Sequence, residues 1–146
     1  MKRLLLLLAL TFNLLGLEAA VDQLETTIAP VTSYVFKGTH YTAQYYGCDH
    51  EAIINRIYLI AYFVKAIDDS GATLLRVDVH PFNSGAITAV ALLSESHASV
   101  HTYPEHNAVF VDLFTCGNSC DWKKFEKVLS SCLSPKKIKR KVRVRK

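Results

Sequence analysis

Apolar positions along this chain follow two periods, one near 3.6 residues and one of two, and the switches between them mark the elements. From Gly38 to Tyr46 the β-formers Thr39, Tyr41, Thr42, Tyr45 and Tyr46 predict a strand that stops at Gly47. Asp49 stands where a helix N-cap belongs, with Glu51 in the first turn. Ile53, Ile57, Ile60, Val64 and Ile67 then recur at helical spacing, which predicts one amphipathic helix over residues 50–68, stopped by Asp68-Asp69-Ser70-Gly71. Ala72 to His80 reads as a strand with Leu75, Val77 and Val79 on one side. Pro81 to Gly85 is a turn, and Ile87 to Leu93 is a strongly apolar strand. Two more strands, Ala98 to Tyr103 and Ala108 to Phe114, flank the turn Pro104-Glu105-His106-Asn107. A second helix over 122–133 buries Trp122, Phe125, Val128, Leu129 and Leu133. Strand, helix, a run of strands, then helix predicts a single α+β domain: an antiparallel sheet with two helices on one face. Its open sheet edges suit an oligomer that covers them.

The two ends depart from that pattern. Met1-Lys2-Arg3, then Leu4 to Leu17 broken by Thr11, Asn13 and Gly16, then Glu18-Ala19-Ala20, has the three regions of a secretory signal. Its apolar run is shorter than the ~18–20 residues of a membrane span. The expected organisation is a leader over 1–20, a linker over 21–36, a folded domain over 37–134 and a basic tail over 135–146. From Lys136 to Lys146 eight of eleven residues are Lys or Arg; removing those eight charges from the net +4 leaves −4 on the remainder. The tail is expected to be solvated and loosely ordered, free to meet anionic surfaces. No aromatic residue is interleaved in it, which argues against specific nucleic-acid recognition. Four cysteines, Cys48, Cys116, Cys120 and Cys132, would suit two disulfides in an exported protein, and their spacing matches no zinc pattern.

The densest chemistry lies in residues 94–117, which contain Ser96, His97, His101, Glu105, His106, Asp112 and Cys116. A zinc site from His80, His97, His101 and His106 needs the fold to converge them, because His97 and His101 on one strand stand ~13 Å apart. A Ser96/His101/Asp112 hydrolase triad lacks the Gly-x-Ser-x-Gly elbow around its serine. No glycine-rich phosphate loop occurs anywhere in the chain.

Several blocks in fixed order resemble the prokaryotic-type S-adenosylmethionine decarboxylase proenzymes. They are Gly38-Thr39-His40, Tyr46-Gly47-Cys48-Asp49, Ser70-Gly71-Ala72-Thr73, Ser94-Glu95-Ser96-His97, His101-Thr102-Tyr103-Pro104-Glu105 and Asp112-Leu113-Phe114-Thr115-Cys116-Gly117. The resemblance runs from about Gly38 to Leu133. It implies a two-layer sandwich with its active site at a homodimer interface, and a small-molecule substrate. It further implies self-cleavage between Glu95 and Ser96, which turns Ser96 into a pyruvoyl cofactor capping the second fragment. His101 resembles the histidine that removes the α-proton during that elimination, a role suited to a base titrating near neutrality. Thr88 aligns with a serine that assists processing. The pyruvoyl ketone condenses with the substrate amine and accepts electrons as carbon dioxide leaves. Cys116 resembles the acid that reprotonates the α-carbon, Phe82 the aromatic that stacks on adenine, and Glu105 the acid that contacts the ribose. No metal is implied.

The chain departs from the family at the Phe82-Asn83-Ser84-Gly85-Ala86 turn, at Ala89 in place of glycine, and at Tyr103 in place of Trp. These departures bear on the substrate, so a pyruvoyl-dependent ornithine or arginine decarboxylase stands as the alternative. A different alternative is an exported binding module with Cys116 locked in a disulfide. The leader predicts export or an organelle, whereas the family resemblance implies the cytoplasm.

Overall fold

The computed structural model describes residues 36–116 and 120–146. The leader over 1–20, nearly all of the expected linker, and Gly117 lie outside the described residues. The elements are β1 (Gly38–Tyr46), α1 (His50–Ile54), α2 (Arg56–Asp69), β2 (Leu74–Pro81), β3 (Ile87–Leu93), β4 (Ser96–Tyr103), a 3-10 turn (Pro104–His106), β5 (Ala108–Cys116), α3 (Trp122–Leu133) and β6 (Lys137–Arg145). All strand pairs are antiparallel, in one six-stranded sheet ordered β2-β3-β4-β5-β1-β6. The expected α+β architecture is what forms.

One sheet face is covered. Tyr41, Ala43 and Tyr45 of β1, Ala89 and Ala91 of β3, Ala98 and Val100 of β4, and Val111 and Leu113 of β5 point into the core. There they meet Leu59, Phe63 and Ile67 of α2 and Phe125, Leu129 and Leu133 of α3. Small alanines on β3 and β4 let the helices approach the sheet closely, as interior packing density demands. The alternating partners on the other face remain solvent-facing, among them Val90, Leu92 and Phe110 at 47%, 55% and 39% exposure.

Two expectations are corrected. The single helix over 50–68 is two helices, because Asn55 leaves helical geometry (φ −79°, ψ 96°) and its side chain accepts the Tyr58 N–H at 3.1 Å. An asparagine side chain competes with the helix backbone in this way. The break resets the phase, so Leu59, Phe63, Ala66 and Ile67 are buried while Ile57 is 79% exposed. Among the described residues the helices are therefore three.

The basic tail, expected to be loosely ordered, is the sixth strand. Ser134 takes a left-handed conformation (φ 45°) that ends α3, Pro135 prevents its continuation, and the chain turns back along β1 from Tyr46↔Lys137 to Gly38↔Arg145. Ile138 packs against the core, and Arg140 Nε donates to Glu126 Oε2 at 2.5 Å. Glu126 also accepts from Tyr41 Oη at 2.9 Å; burial raises the Tyr41 phenol far above its usual range and keeps it a donor. Tyr45, whose phenol burial pushes up to about 12, places its Oη 2.9 Å from Tyr41 Oη. On the open face, Arg145 sits 4.6 Å over the Phe114 ring and Lys139 5.5 Å over Tyr46. The charges on this strand also discourage edge-to-edge pairing.

Candidate active site

The β3–β4 hairpin is the unusual local structure. Leu93 pairs with Ser96, leaving Ser94 and Glu95 as a two-residue turn. Two-residue hairpins normally place positive φ inside the turn, on glycine or asparagine. Here neither turn residue does so; instead Ser96, the first residue of β4, carries φ 156°, a conformation that essentially only glycine adopts without strain. The turn is tied down on both sides: Ser94 N–H donates to Thr73 O at 2.9 Å, and Thr73 N–H to the Glu95 carboxylate at 2.9 Å. The Glu95 main-chain carbonyl accepts the Cys116 N–H at 3.0 Å.

Successive residues of a regular strand point to opposite faces. The altered φ of Ser96 breaks that rule, and its hydroxyl lies 3.1 Å from Nδ1 of His97. The Cys116 side chain stands at the end of β5 opposite Gly38. A Cβ at Gly38 would come within 2.5 Å of Phe114 Cε2 and 3.4 Å of Cys116 Sγ, so glycine there leaves room for both side chains. Beside this group the rings of His97, Phe114 and His40 lie in sequence, with centroids 5.7 Å and 5.6 Å apart. His40 Nε2 lies 2.5 Å from Asp112 Oδ1.

A second group gathers further along the sheet. Thr88 pairs with His101 across β3 and β4, and Thr88 Oγ1 hydrogen-bonds His101 Nδ1. The Phe82 ring, 44% exposed, lies 5.9 Å from His101, and Tyr103 lies 4.5 Å from it on the other side. Glu105 is exposed on the 3-10 turn that follows β4, at this same end.

The expected site residues are thus divided. Glu95, Ser96 and Cys116 form one group; Phe82, Thr88, His101 and, at the same end, Glu105 form another. Ser96 and His101 stand five residues apart on β4, or about 16 Å at ~3.3 Å each. The hydrolase triad does not assemble within one chain, because Asp112 is paired with His40 and His101 cannot reach Ser96. Among the described residues, no three His, Cys, Asp or Glu side chains gather as metal ligands. A hollow of about 320 Å³ lined by Thr42, Gln44, Phe110, Asp112, Lys139 and Lys141 contains no member of either group.

Two groups at this hairpin have no role assigned by the motifs: the backbone N–H of Cys116 and the ring of His97. The first is not a side chain. The second is adjacent to the serine in sequence, where strand geometry would ordinarily point it away.

All four cysteines are free thiols. Cys48 and Cys132 are buried, and burial pushes each thiol up to about 11. Cys116 and Cys120 are half-buried, and Cys120 Sγ donates to Ser70 Oγ at 3.4 Å. At pH 8 a thiol titrating near 11 is thiolate in only ~10⁻³ of molecules. Iodoacetamide at that pH is therefore expected to spare Cys48 and Cys132 in the folded chain and to label both on unfolding. Peptide mapping checks this; prompt native labelling of either would show that the α1 and α3 ends open readily.

The model of the S-adenosylmethionine decarboxylase family matches residues 39–146. The S-adenosylmethionine decarboxylase proenzyme of Thermotoga maritima is 39% identical over 103 residues, covering 69% of this chain and 78% of that one. The proenzyme of the same name from Pyrobaculum arsenaticum is 37% identical over 105 residues, covering 71% and 84%. Among solved structures, the adenosylmethionine decarboxylase of Aquifex aeolicus superposes with a TM-score of 0.68 at 30% identity, over 73% of this chain and 88% of that one.

Proposed function

The chain belongs to the S-adenosylmethionine decarboxylase family, and from that premise we propose that it is a self-processing decarboxylase of S-adenosylmethionine whose cofactor is a pyruvoyl group made from its own Ser96. Its product would serve aminopropyl transfer in spermidine synthesis. The observation that carries the reading is the Glu95-Ser96 hairpin. A hydroxyl sits beside a peptide bond whose carbonyl is already held by an N–H donor, Cys116, at 3.0 Å, and the residue that carries the hydroxyl holds φ 156°. Such a donor is worth most when the carbonyl oxygen gains negative charge. The strain, of order 1–3 kcal/mol for a sparsely populated φ, is released when the chain is cut.

In the first step the Ser96 hydroxyl attacks the Glu95 carbonyl carbon and the amide becomes an ester. His101 then takes the α-proton of residue 96, Glu95 leaves as a carboxylate, and hydrolysis with loss of ammonia leaves the pyruvoyl end. Once formed, that group supplies the ketone that holds the substrate amine and the conjugated carbonyl that accepts electrons as carbon dioxide leaves. Cys116 is the proton donor beside it. Phe82 offers a ring face to adenine, and Glu105 accepts from ribose hydroxyls.

This assignment needs a second copy of the chain. The roughly 16 Å along β4 between Ser96 and His101 separates two reaction partners that must touch. A twofold arrangement lays the Ser96 end of one open face against the His101 end of the other, since a symmetric interface uses the same patch on both subunits. Val90, Leu92 and Phe110, exposed on that face, supply apolar surface for it. The active form is therefore a homodimer with two composite sites.

Intact mass spectrometry of purified protein tests the cleavage. The expected result is one fragment ending at Glu95 and a second beginning at residue 96, lighter by one ammonia than a serine-started peptide. Carbon dioxide is then expected from carboxyl-labelled S-adenosylmethionine, and not from labelled ornithine or arginine. A single uncut chain would falsify the proposal.

A further inference from the structure

We infer that His97, not His101, is the base that takes the Ser96 proton in the first step of self-cleavage, so that each chain begins its own processing and needs its partner only for the elimination. The inference rests on the pyruvoyl reading above and divides its two steps between two histidines.

The geometry separates the two candidates. His97 Nδ1 is 3.1 Å from Ser96 Oγ, within the reach a general base requires. His101 lies about 16 Å along the same strand, and its Nδ1 is engaged by the Thr88 hydroxyl. The contact between Ser96 and His97 is not a by-product of strand geometry, which sends neighbouring side chains apart. It exists because Ser96 holds φ 156°. The same residue that carries the strain is thereby aimed at the base. The His97 ring is also backed: it lies 5.7 Å from the Phe114 ring, which packs against His40 at 5.6 Å and under the Arg145 guanidinium at 4.6 Å.

The step balances without a co-reactant. Neutral His97, carrying its own proton on Nε2, takes the hydroxyl proton on Nδ1 as Ser96 Oγ bonds to the Glu95 carbonyl carbon. The carbonyl oxygen becomes an oxyanion held by the Cys116 N–H. The C–N bond then breaks, the nitrogen takes the proton back from His97, and the oxyanion returns to a carbonyl. The products are an ester linking Glu95 to Ser96 Oγ and a free amine on residue 96, with His97 regenerated.

The test follows freshly purified full-length His97→Asn by intact mass, with hydroxylamine as the probe because it cuts esters and leaves amides whole. An Asn amide can hold the Ser96 hydroxyl but cannot take its proton. His97→Asn is expected to process at least about 10²-fold more slowly than the wild type, the usual contribution of a positioned base. Its uncut chain is expected to resist hydroxylamine, and free imidazole should speed His97→Ala. His101→Ala, by contrast, should stall as a chain that hydroxylamine cuts at residue 95. Processing of His97→Asn within twofold of the wild-type rate overturns the inference, and so does its accumulation as an ester. His97→Gln serves as a second variant should the first fail to give the wild-type circular dichroism spectrum. If the wild-type chain is itself never cut, the pyruvoyl reading fails rather than the division of labour.

Discussion

Ser96→Ala and Ser96→Gly are both expected to remain single, uncut chains, and Ser96→Gly is expected to melt at the higher temperature. The first result follows from chemistry: without Oγ nothing attacks the Glu95 carbonyl, and the Cys116 N–H alone only polarises a bond that lacks a nucleophile. No pyruvoyl group forms, so decarboxylation falls to background. The second result follows from the backbone. Alanine at φ 156° keeps the Cβ, so it keeps the strain of the uncut serine. Glycine removes that strain, of order 1–3 kcal/mol, and gives back roughly 0.5–1 kcal/mol in unfolded-chain entropy. A net gain of about 1 kcal/mol corresponds to a rise of about 4 °C for a domain near 100 residues. Thermal denaturation of the two uncut variants side by side reads it. Equal melting temperatures would show that the hairpin stores nothing, and self-cleavage would then have to be driven by the catalytic groups alone.

How much of this was legible beforehand varies by element, for physical reasons. The strands at Gly38–Tyr46 and Ile87–Leu93 follow directly from β-formers bounded by turn residues, and the structure starts and stops them at those same residues. The last strand was written in the chain but masked. In Lys137-Ile138-Lys139-Arg140-Lys141-Val142-Arg143-Val144-Arg145 every odd position is cationic while Ile138, Val142 and Val144 occupy even ones. That is a period of two, carried by few enough apolar residues that the charge dominated the reading. What decides the matter is tertiary: a free β1 edge, the Arg140–Glu126 pair, and rings under Lys139 and Arg145. The break at Asn55 was likewise visible only as one polar residue in an apolar period. Its capping bond to Tyr58, not its polarity, splits the helix.

The site shows the same division. Residue identities came from the motif blocks; the separation of Ser96 from His101 came with a strand that starts at Ser96 rather than at the expected Ala98. What sequence could not supply was a φ angle. His97 follows Ser96 directly, and any regular strand would send it to the opposite face. Only the displaced turn, with its positive φ moved from the loop to Ser96, makes the two side chains meet. The Cys116 N–H was hidden for a different reason: every residue has a backbone donor, and only the register of β4 against β5 selects this one.

Co-expression of Ser96→Ala with His101→Ala is expected to restore cleavage that neither variant performs alone. Ser96→Ala contributes an intact Thr88–His101 group and no nucleophile. His101→Ala contributes an intact Ser96 hairpin and no elimination base. If the site is built from the Ser96 end of one chain and the His101 end of another, a mixed dimer holds one complete site. In that site the cut chain is always the His101→Ala chain. Random pairing of equal amounts makes half of all dimers mixed, so about half of the His101→Ala chains should mature to the pyruvoyl form. Distinct affinity tags on the two variants, followed by intact mass of each, measure this fraction directly. Restored decarboxylation should scale with it. His97→Ala paired with Ser96→Ala gives the opposite expectation, because His97 serves the serine next to it in its own chain; the His97→Ala chain stays uncut in every dimer it forms. Recovery in the first pairing and none in the second separates the two histidines by chain as well as by step. Absence of recovery in the first pairing, with mixed dimers shown by the tags, would mean that His101 reaches Ser96 within one chain. The β4 register, which holds Ser96 opposite Leu93 and His101 opposite Thr88, would then have to give way in the active form.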